Sequence, residues 1–413
     1  MKPARPETHN FDPERLGRIE SWMNQYIADR KYAGSSVLIA RGGEEVFFKA
    51  VGQRSIEQNL PFERDTLARI YSMTKPITTV AIMMLVEHGA FHLDAPISRF
   101  LPAFSKMSAL TPGAERIDQV ERCATPTVHQ LLTHTSGLSY PFNPGLLSRE
   151  MDKQKLIFGP RQGTLAKMCD QVAALPLAFA PGSRWEYSVA IDILGRIVEV
   201  VSGKSLDVFF KEHILGPLGM DKTGFSVLET SGNRFASLYT PLTGDGMALN
   251  SAEKGENTLR LTDEAGSSPF ESATLYSGGG GLISSLDDYM TFVEMLRRGG
   301  DCDNGRLLSP RTVDFMRSNH LRGDIASMGP ESFAEQPMEG MGFGLGGAVV
   351  LDPARARCAG SVGDFSWGGM ASTFFWLDPV LDLSVVFFTQ LTPSSSYPAR
   401  AELKALVHGA LTV

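Results

Sequence analysis

The chain has 413 residues, 43% of them hydrophobic, which is ample for a packed core and more than one domain usually needs; two interleaved lobes or one large elaborated fold are expected. Thirty-nine Lys and Arg against 46 Asp and Glu leave a formal net charge of −7 with no long basic run, which argues against nucleic acid or an anionic membrane as partner and for a small molecule. The opening MKPARPETHNFDPERLGRIE is polar and proline-broken, without the apolar core of a signal peptide, and no stretch reaches the roughly 18 apolar residues of a membrane span, so a cytoplasmic protein is expected. The cysteines, Cys123, Cys169, Cys302 and Cys358, are scattered without C-x-x-C pairing and are expected to be free, buried thiols.

In chain order, SSVLIARGGEEVFFKAVG predicts two strands, residues 36–41 and 45–51, joined by Gly42-Gly43, a pair suited to the positive φ of a hairpin turn. An apolar helix follows over residues 75–87. Residues 103–125, rich in Gly, Pro, Ser and Thr, read as a long loop. Helices are expected around residues 127–133 and 189–201, then a second long loop over residues 223–277. Ser285 and Asp288 fit an S-x-x-[DE] capping box, which starts a helix at about residue 286 and runs it to 298. MASTFFWLD and LDLSVVFFTQ are β-branched and aromatic runs separated by Asp378-Pro379, and PARAELKALVHGAL closes the chain as a helix. Strands at both ends with helices between imply one sheet completed by both termini. Residues 1–71 and 278–413 would form that lobe, and residues 72–277 a mostly helical lobe inserted into it.

The chemistry centres on IYSMTKPITTVAIMMLVEHG, which sets Ser72 three residues before Lys75. Residues so spaced share one helix face with Cβ atoms about 5–6 Å apart, so the amine can reach the hydroxyl. Pro76 is tolerated only in the first turn of a helix, which places the helix start close to Ser72, beside unpaired N–H groups and the positive dipole end that favour an oxyanion. The plain alternative is a serine cap with a solvated lysine. A serine hydroxyl needs a base, and a leaving group needs a proton donor, so a third group is expected. SRWEYSVAIDILGRIVEVVSG offers Tyr187 and Ser188 just before an amphipathic helix, although a tyrosine there also serves packing. In GDFSWGGMASTFFWLD, Trp367-Gly368-Gly369 leads into a predicted strand, where a glycine pair permits close backbone approach by a ligand or simply forms a turn.

The ordered set Ser72-x-x-Lys75, Tyr187-Ser188 and Trp367-Gly368-Gly369 resembles the class C branch of the serine β-lactamase and penicillin-binding-protein superfamily, and most closely its esterase members, the family VIII carboxylesterases. LLTHTSGLSY and YSGGGGLISSLDDYMTF resemble recurrent segments of the same relatives, and no G-x-S-x-G elbow is present to suggest an α/β-hydrolase. The resemblance implies an α/β (α+β) fold, an antiparallel sheet flanked by helices beside a mostly helical lobe, with the site in the cleft between them. It implies Ser72 as nucleophile, Lys75 and Tyr187 sharing base and acid roles, and the backbone N–H groups of Ser72 and Met370 as oxyanion hole. Trp367, Gly368, Gly369 and Ser188 would border the substrate, with no cofactor and no metal. Two departures matter. Trp367 stands where relatives acting on penicillins or peptidoglycan carry a carboxylate-binding lysine, and Val189 where the class C motif has an amide.

Both departures favour neutral esters. The expectation is a serine carboxylesterase for short to medium neutral esters working through an acyl-enzyme on Ser72. The alternatives are a β-lactamase or D-amino-acid peptidase-like hydrolase, an acyltransferase of the same superfamily, and a non-catalytic binding protein. His88 and His92 have i,i+4 spacing but Gly89 between them and no third ligand close by, so no metal is expected there. Gly278–Gly281 lacks the G-K-[ST] of a phosphate loop and reads as a tight turn, and His134 as a structural hydrogen-bonder near the site. The loops around residues 141–147 and 223–277 would set acyl length.

Overall fold

The β-branched and aromatic runs at the two ends of the chain pair with each other. The computed structural model, which describes residues 1–227, 231–241 and 258–413, has nine strands in its main sheet. They are β1 (Lys2–Pro3), β2 (Gly34–Arg41), β3 (Glu44–Ser55), β4 (Leu60–Pro61), β5 (Met341–Phe343), β6 (Ala348–Val350), β7 (Phe365–Gly368), β8 (Phe374–Asp378) and β9 (Leu383–Thr389). The order is β1-β3-β2-β9-β8-β7-β6-β5, with β4 on β3. The sheet is antiparallel except where β1 meets β3. The closing seam is β9 on β2, from Leu383 opposite Arg41 to Thr389 opposite Ser35. One sheet therefore spends both termini.

Both faces of that sheet are covered, which is why β2 and β9 read as continuous apolar runs rather than alternating ones. Val37, Ile39, Val385 and Phe387 pack with α1 (Pro13–Ala28) and the C-terminal helix, while Leu38, Ala40, Val386 and Phe388 point into the larger core on the other side. Gly42 and Gly43 take φ of +61° and +83° and make the expected hairpin turn. The polar, proline-broken opening segment turns out to be helical. Pro13 occupies the first turn, and the Asp12 carboxylate caps it by accepting the N–H groups of Glu14 and Arg15.

The helical part centres on α2 (Thr74–Glu87), of which all residues from Thr74 to Leu85 are buried. A helix apolar all round belongs in a core. It packs against α4 (Ala190–Ser202), which in turn contacts α3 (Val128–Leu132). Gly203, at φ +70°, ends α4 in the left-handed conformation. α5 (Leu286–Arg297) lies on β9. Its expected capping box is half formed: Ser285 Oγ accepts the Asp288 N–H, but the Asp288 carboxylate turns to the Lys222 N–H and the Thr223 hydroxyl, each at 2.8 Å.

Other expectations need correction. Residues 103–125 hold a short hairpin, Ser108–Leu110 with Val120–Arg122, and the described part of 223–277 holds Leu238–Thr240 paired with Arg260–Asp263; the rest of that stretch lies outside the described residues. Strands this short leave no period to detect. Trp367 and Gly368 end β7 rather than start the next strand, since Trp367 pairs with Phe375 and Gly368 with Phe374 across a turn. The four cysteines are free, but only Cys169 is buried; the other three are half-buried. Among the described residues no helix is long and apolar enough to cross a membrane.

The strand bearing Trp367 is anchored by a buried ion pair. Lys404 Nζ, on α6 (Ala399–Gly409), lies 2.7 Å from Asp364 Oδ2, and both side chains are almost wholly enclosed. Removing one partner strands the other charge, so Lys404→Met should cost about 3–5 kcal/mol in a urea unfolding titration. Asp364→Leu/Lys404→Met should recover most of that loss, because a paired apolar replacement leaves no buried charge.

Candidate active site

Ala68–Arg69 pairs antiparallel with Ile283–Ser284, and the chain then turns sharply into α2. Ser72 lies in the 3-10 turn Tyr71–Met73 that feeds α2, one step ahead of the first α-helical turn expected for it. Tyr71 has φ +40°, a sparsely populated conformation for a residue with a side chain. The turn is held from three sides: the Ile70 N–H donates to Leu282 O at 3.1 Å, the Tyr289 hydroxyl donates to Met73 O at 2.8 Å, and the Tyr71 ring meets Phe270 edge-on at 5.9 Å.

The sequence-predicted trio comes together on Ser72. Tyr187 Oη donates to Ser72 Oγ at 2.6 Å, and Lys75 Nζ lies 3.1 Å from the same oxygen. Lys75 is fully enclosed. Its amine also reaches Tyr140 Oη at 3.1 Å and Gly279 O at 2.7 Å, and stands 4.5 Å from the centre of the Tyr187 ring. Burial disfavours the ammonium and brings the Lys75 pKa down to about 7, with the Asp192 carboxylate pulling the other way. Burial likewise raises Asp192, which the charge of Lys75, the Ser277 hydroxyl at 2.5 Å and the Gly279 N–H at 3.0 Å hold down. The Tyr187 phenol is pushed up by burial, opposed by its bond to Ser72 and by the nearby Trp367 indole.

The glycine run 278–281, expected as a simple turn, is part of this constellation. A Cβ on Gly279 would come within 2.4 Å of Asp192 Oδ2, so only glycine lets the loop present its N–H to Asp192 and its carbonyl to Lys75. The glycines after Trp367 also serve contact with the protein itself. A Cβ would meet Arg400 Nη2 at 2.4 Å from Gly368 and Ile70 O at 2.2 Å from Gly369.

Ser188 does not reach the cleft. It is fully buried, with its N–H donating to His134 Nδ1 at 3.3 Å and its hydroxyl 3.1 Å from the same nitrogen. That makes Nδ1 an acceptor and places the imidazole proton on Nε2. Burial, then the charge of Lys75, keeps His134 well below the ordinary histidine range, so it is a neutral structural partner whose ring sits 4.9 Å from that of Tyr187. The Tyr187 carbonyl accepts from Asn143 Nδ2 at 2.7 Å. Val189 is buried at the start of α4. His88 and His92 are both exposed on the surface, and among the described residues no group of three or more His, Cys, Asp or Glu side chains is disposed to hold a metal ion.

Two spaces flank Ser72, and Tyr187 and Met370 line both. One is a cavity of about 250 Å³ with aromatic walls; the other, on the Trp367 side, is about 30 Å³. Trp367 is a wall rather than a free arm, stacked on Phe333 at 5.9 Å and tilted against Tyr187 at 5.4 Å. Tyr140, Asp192 and Gly279 escaped the sequence reading. An acid inside the apolar run AIDIL was a detectable signal for Asp192, whereas no spacing links Tyr140 or Gly279 to Lys75.

A serine bonded at once to a buried tyrosine and to a buried lysine of lowered pKa has the groups that a serine hydrolase needs. The chain belongs to the beta-lactamase family, which it matches over residues 19–409. It is 34% identical to Esterase EstB of Burkholderia gladioli over 393 residues, 93% of each chain. It is 38% identical to Protein Rv1367c of Mycobacterium tuberculosis over 357 residues, 85% of this chain and 84% of the other. Among solved structures, EstCE1, described as a hydrolase with promiscuous acyltransferase activity, superposes with a TM-score of 0.76 at 29% identity, covering 97% of this chain and 99% of that one.

Among the described residues, the geometry makes Ser72 the hydroxyl that a fluorophosphonate should label. Intact mass should show a single adduct, absent in Ser72→Ala. Gly279→Ala, which drives a methyl group into Asp192, should slow labelling about tenfold or more, the cost of misplacing a group in a unit of this kind.

Proposed function

We propose that the protein is a serine carboxylesterase that hydrolyses short to medium neutral esters through an acyl-enzyme on Ser72. The observation that carries this reading is the Lys75 amine, buried, with a pKa brought down to about 7, and 3.1 Å from Ser72 Oγ while Tyr187 stands 2.6 Å away on the same oxygen. A nucleophile with a base and an acid both in hydrogen-bond reach satisfies the geometric requirement for acyl transfer. The relatives named as esterase and hydrolase support it.

The Gly279 carbonyl can only accept, so it fixes one N–H of Lys75 and leaves the lone pair of the neutral amine free to face Ser72. As Ser72 Oγ bonds to the ester carbon, its proton passes to Lys75 and the carbonyl electron pair moves onto oxygen, toward the N–H groups of Ser72 and Met370. Collapse breaks the bond to the alkoxy oxygen, which takes the Tyr187 proton. The Lys75 ammonium then gives a proton back to the Tyr187 phenolate, which leaves both groups as they began. Water then takes the alcohol's place and repeats the sequence, releasing the acid. Neutral substrates fit the surroundings: Trp367 carries no charge, and Arg400 is already engaged by Glu335 at 3.3 Å and Gln336 at 2.7 Å.

Ser72→Ala should abolish hydrolysis of methyl butyrate, followed by acid release at constant pH, with the fold intact. Lys75→Ala and Tyr187→Phe should each lower kcat by about 10²–10⁴, and the double variant should lose far less than the product, because the two groups act as one unit. Multiplicative losses would mean separate proton paths.

The pH profile tests the base directly. An ammonium has no lone pair, so kcat/KM should rise with pH through about 7 as Lys75 loses its proton. Asp192 favours the ammonium, so Asp192→Asn should move this limb to lower pH. A limb that stays fixed would remove Lys75 from the role.

A further inference from the structure

The two spaces beside Ser72 differ in size and in chemistry. The larger, about 250 Å³, is walled by Tyr71, Phe142, Ile157, Phe158 and Phe270. The smaller, about 30 Å³, is bordered by Trp367, Ser366, Gln336 and Arg400, with Met338 and Met341 also lining it. An apolar cavity of about 150 Å³ takes a benzene ring, and one water needs about 10–15 Å³. The larger space thus suits a ring or a branched chain of similar bulk, and the smaller suits one or two waters or a very small alcohol.

An ester carbonyl over Ser72 has two substituents, one for each space. The water that releases the acyl-enzyme enters where the alcohol left, so the alcohol side must be the one able to hold water. The smaller space has more of that character: Ser366, Gln336 and Arg400 line it beside Met338, Met341 and Ala348, whereas the larger is walled mainly by aromatic rings. The acyl group stays through the intermediate and is sheltered by the aromatic walls. We propose that the enzyme selects esters of a bulky apolar acid with a small alcohol, acyl group in the aromatic cavity and a methyl- or ethyl-sized alkoxy group beside Trp367. This inference rests on the esterase reading of the same site.

Phe333 sets the limit on the alcohol side. It comes from the short hairpin Ser332–Phe333 with Gln336–Pro337, stacks on Trp367 with an interplanar angle of 13°, and meets Tyr187 at 4.8 Å. Its ring is one wall of the smaller space.

Methyl phenylacetate and benzyl acetate are constitutional isomers that exchange which side of the ester bears the ring. Wild-type kcat/KM should favour methyl phenylacetate by about tenfold or more, the discrimination that a pocket of the right or wrong size provides. Phe333→Ala should shrink this ratio by raising benzyl acetate, and Ile157→Trp should shrink it by lowering methyl phenylacetate. A wild-type ratio near or below one, or a Phe333→Ala gain confined to methyl phenylacetate, would overturn the assignment of the two sides. If neither isomer nor methyl butyrate is turned over, the esterase reading fails and this inference with it.

Discussion

The structure depends on keeping a lysine amine dry. An ammonium in the interior is expensive to hold, and the usual remedy, a carboxylate in direct contact, would lock the proton on. Here the amine contacts two hydroxyls and a peptide carbonyl, while the Asp192 carboxylate is spent on Ser277 and Gly279 and acts on Lys75 through its field alone. The result is an amine balanced near neutrality. In the proposed reaction it takes a proton from Ser72 and gives it back.

Holding that balance recruits distant parts of the chain. Lys75 rides on α2, buried all round; Asp192 is on α4, packed against it; and the Gly279 loop fills the gap between them with no side chain of its own. Tyr187 reaches the same oxygen from the start of α4, steadied by Asn143 on its carbonyl and His134 against its ring. The sheet contributes the far wall. β7 carries Trp367 to the cleft, and Gly369 lets its backbone come against the Ile70 carbonyl just ahead of Ser72.

Polarity around the nucleophile is uneven, and that bears on chemistry as well as fit. Apolar walls on one side deepen the desolvation that depresses Lys75, whereas the Trp367 side keeps donors and acceptors within reach of a small space. Trp367 and Phe333 exclude bulk there by stacking. The neutral Trp367, with Arg400 already engaged by Glu335 and Gln336, leaves no free cation among the described residues there for a substrate carboxylate, in keeping with the proposed neutral esters.

The sequence by itself determined the frame and nominated the groups of the proposed site. Ser72 and Lys75 share a helical face because three residues nearly complete a turn, and β2, β8, β9 and the Gly42-Gly43 hairpin are written in β-branched and aromatic runs and in turn chemistry. Local signals also misled. Pro13 looked like a breaker but opens α1, and Gly368-Gly369, which line the smaller space beside Ser72, also make room for Arg400 and the Ile70 carbonyl. What only the tertiary structure decided is everything that depends on meeting across the chain. Tyr140, Asp192 and Gly279 converge on Lys75 from 65, 117 and 204 residues away in sequence, and Ser188, adjacent to a site tyrosine, is turned inward to His134. The depressed amine is of the same kind: burial shifts a pKa only once other segments have displaced the water, and no stretch of sequence near Lys75 encodes that.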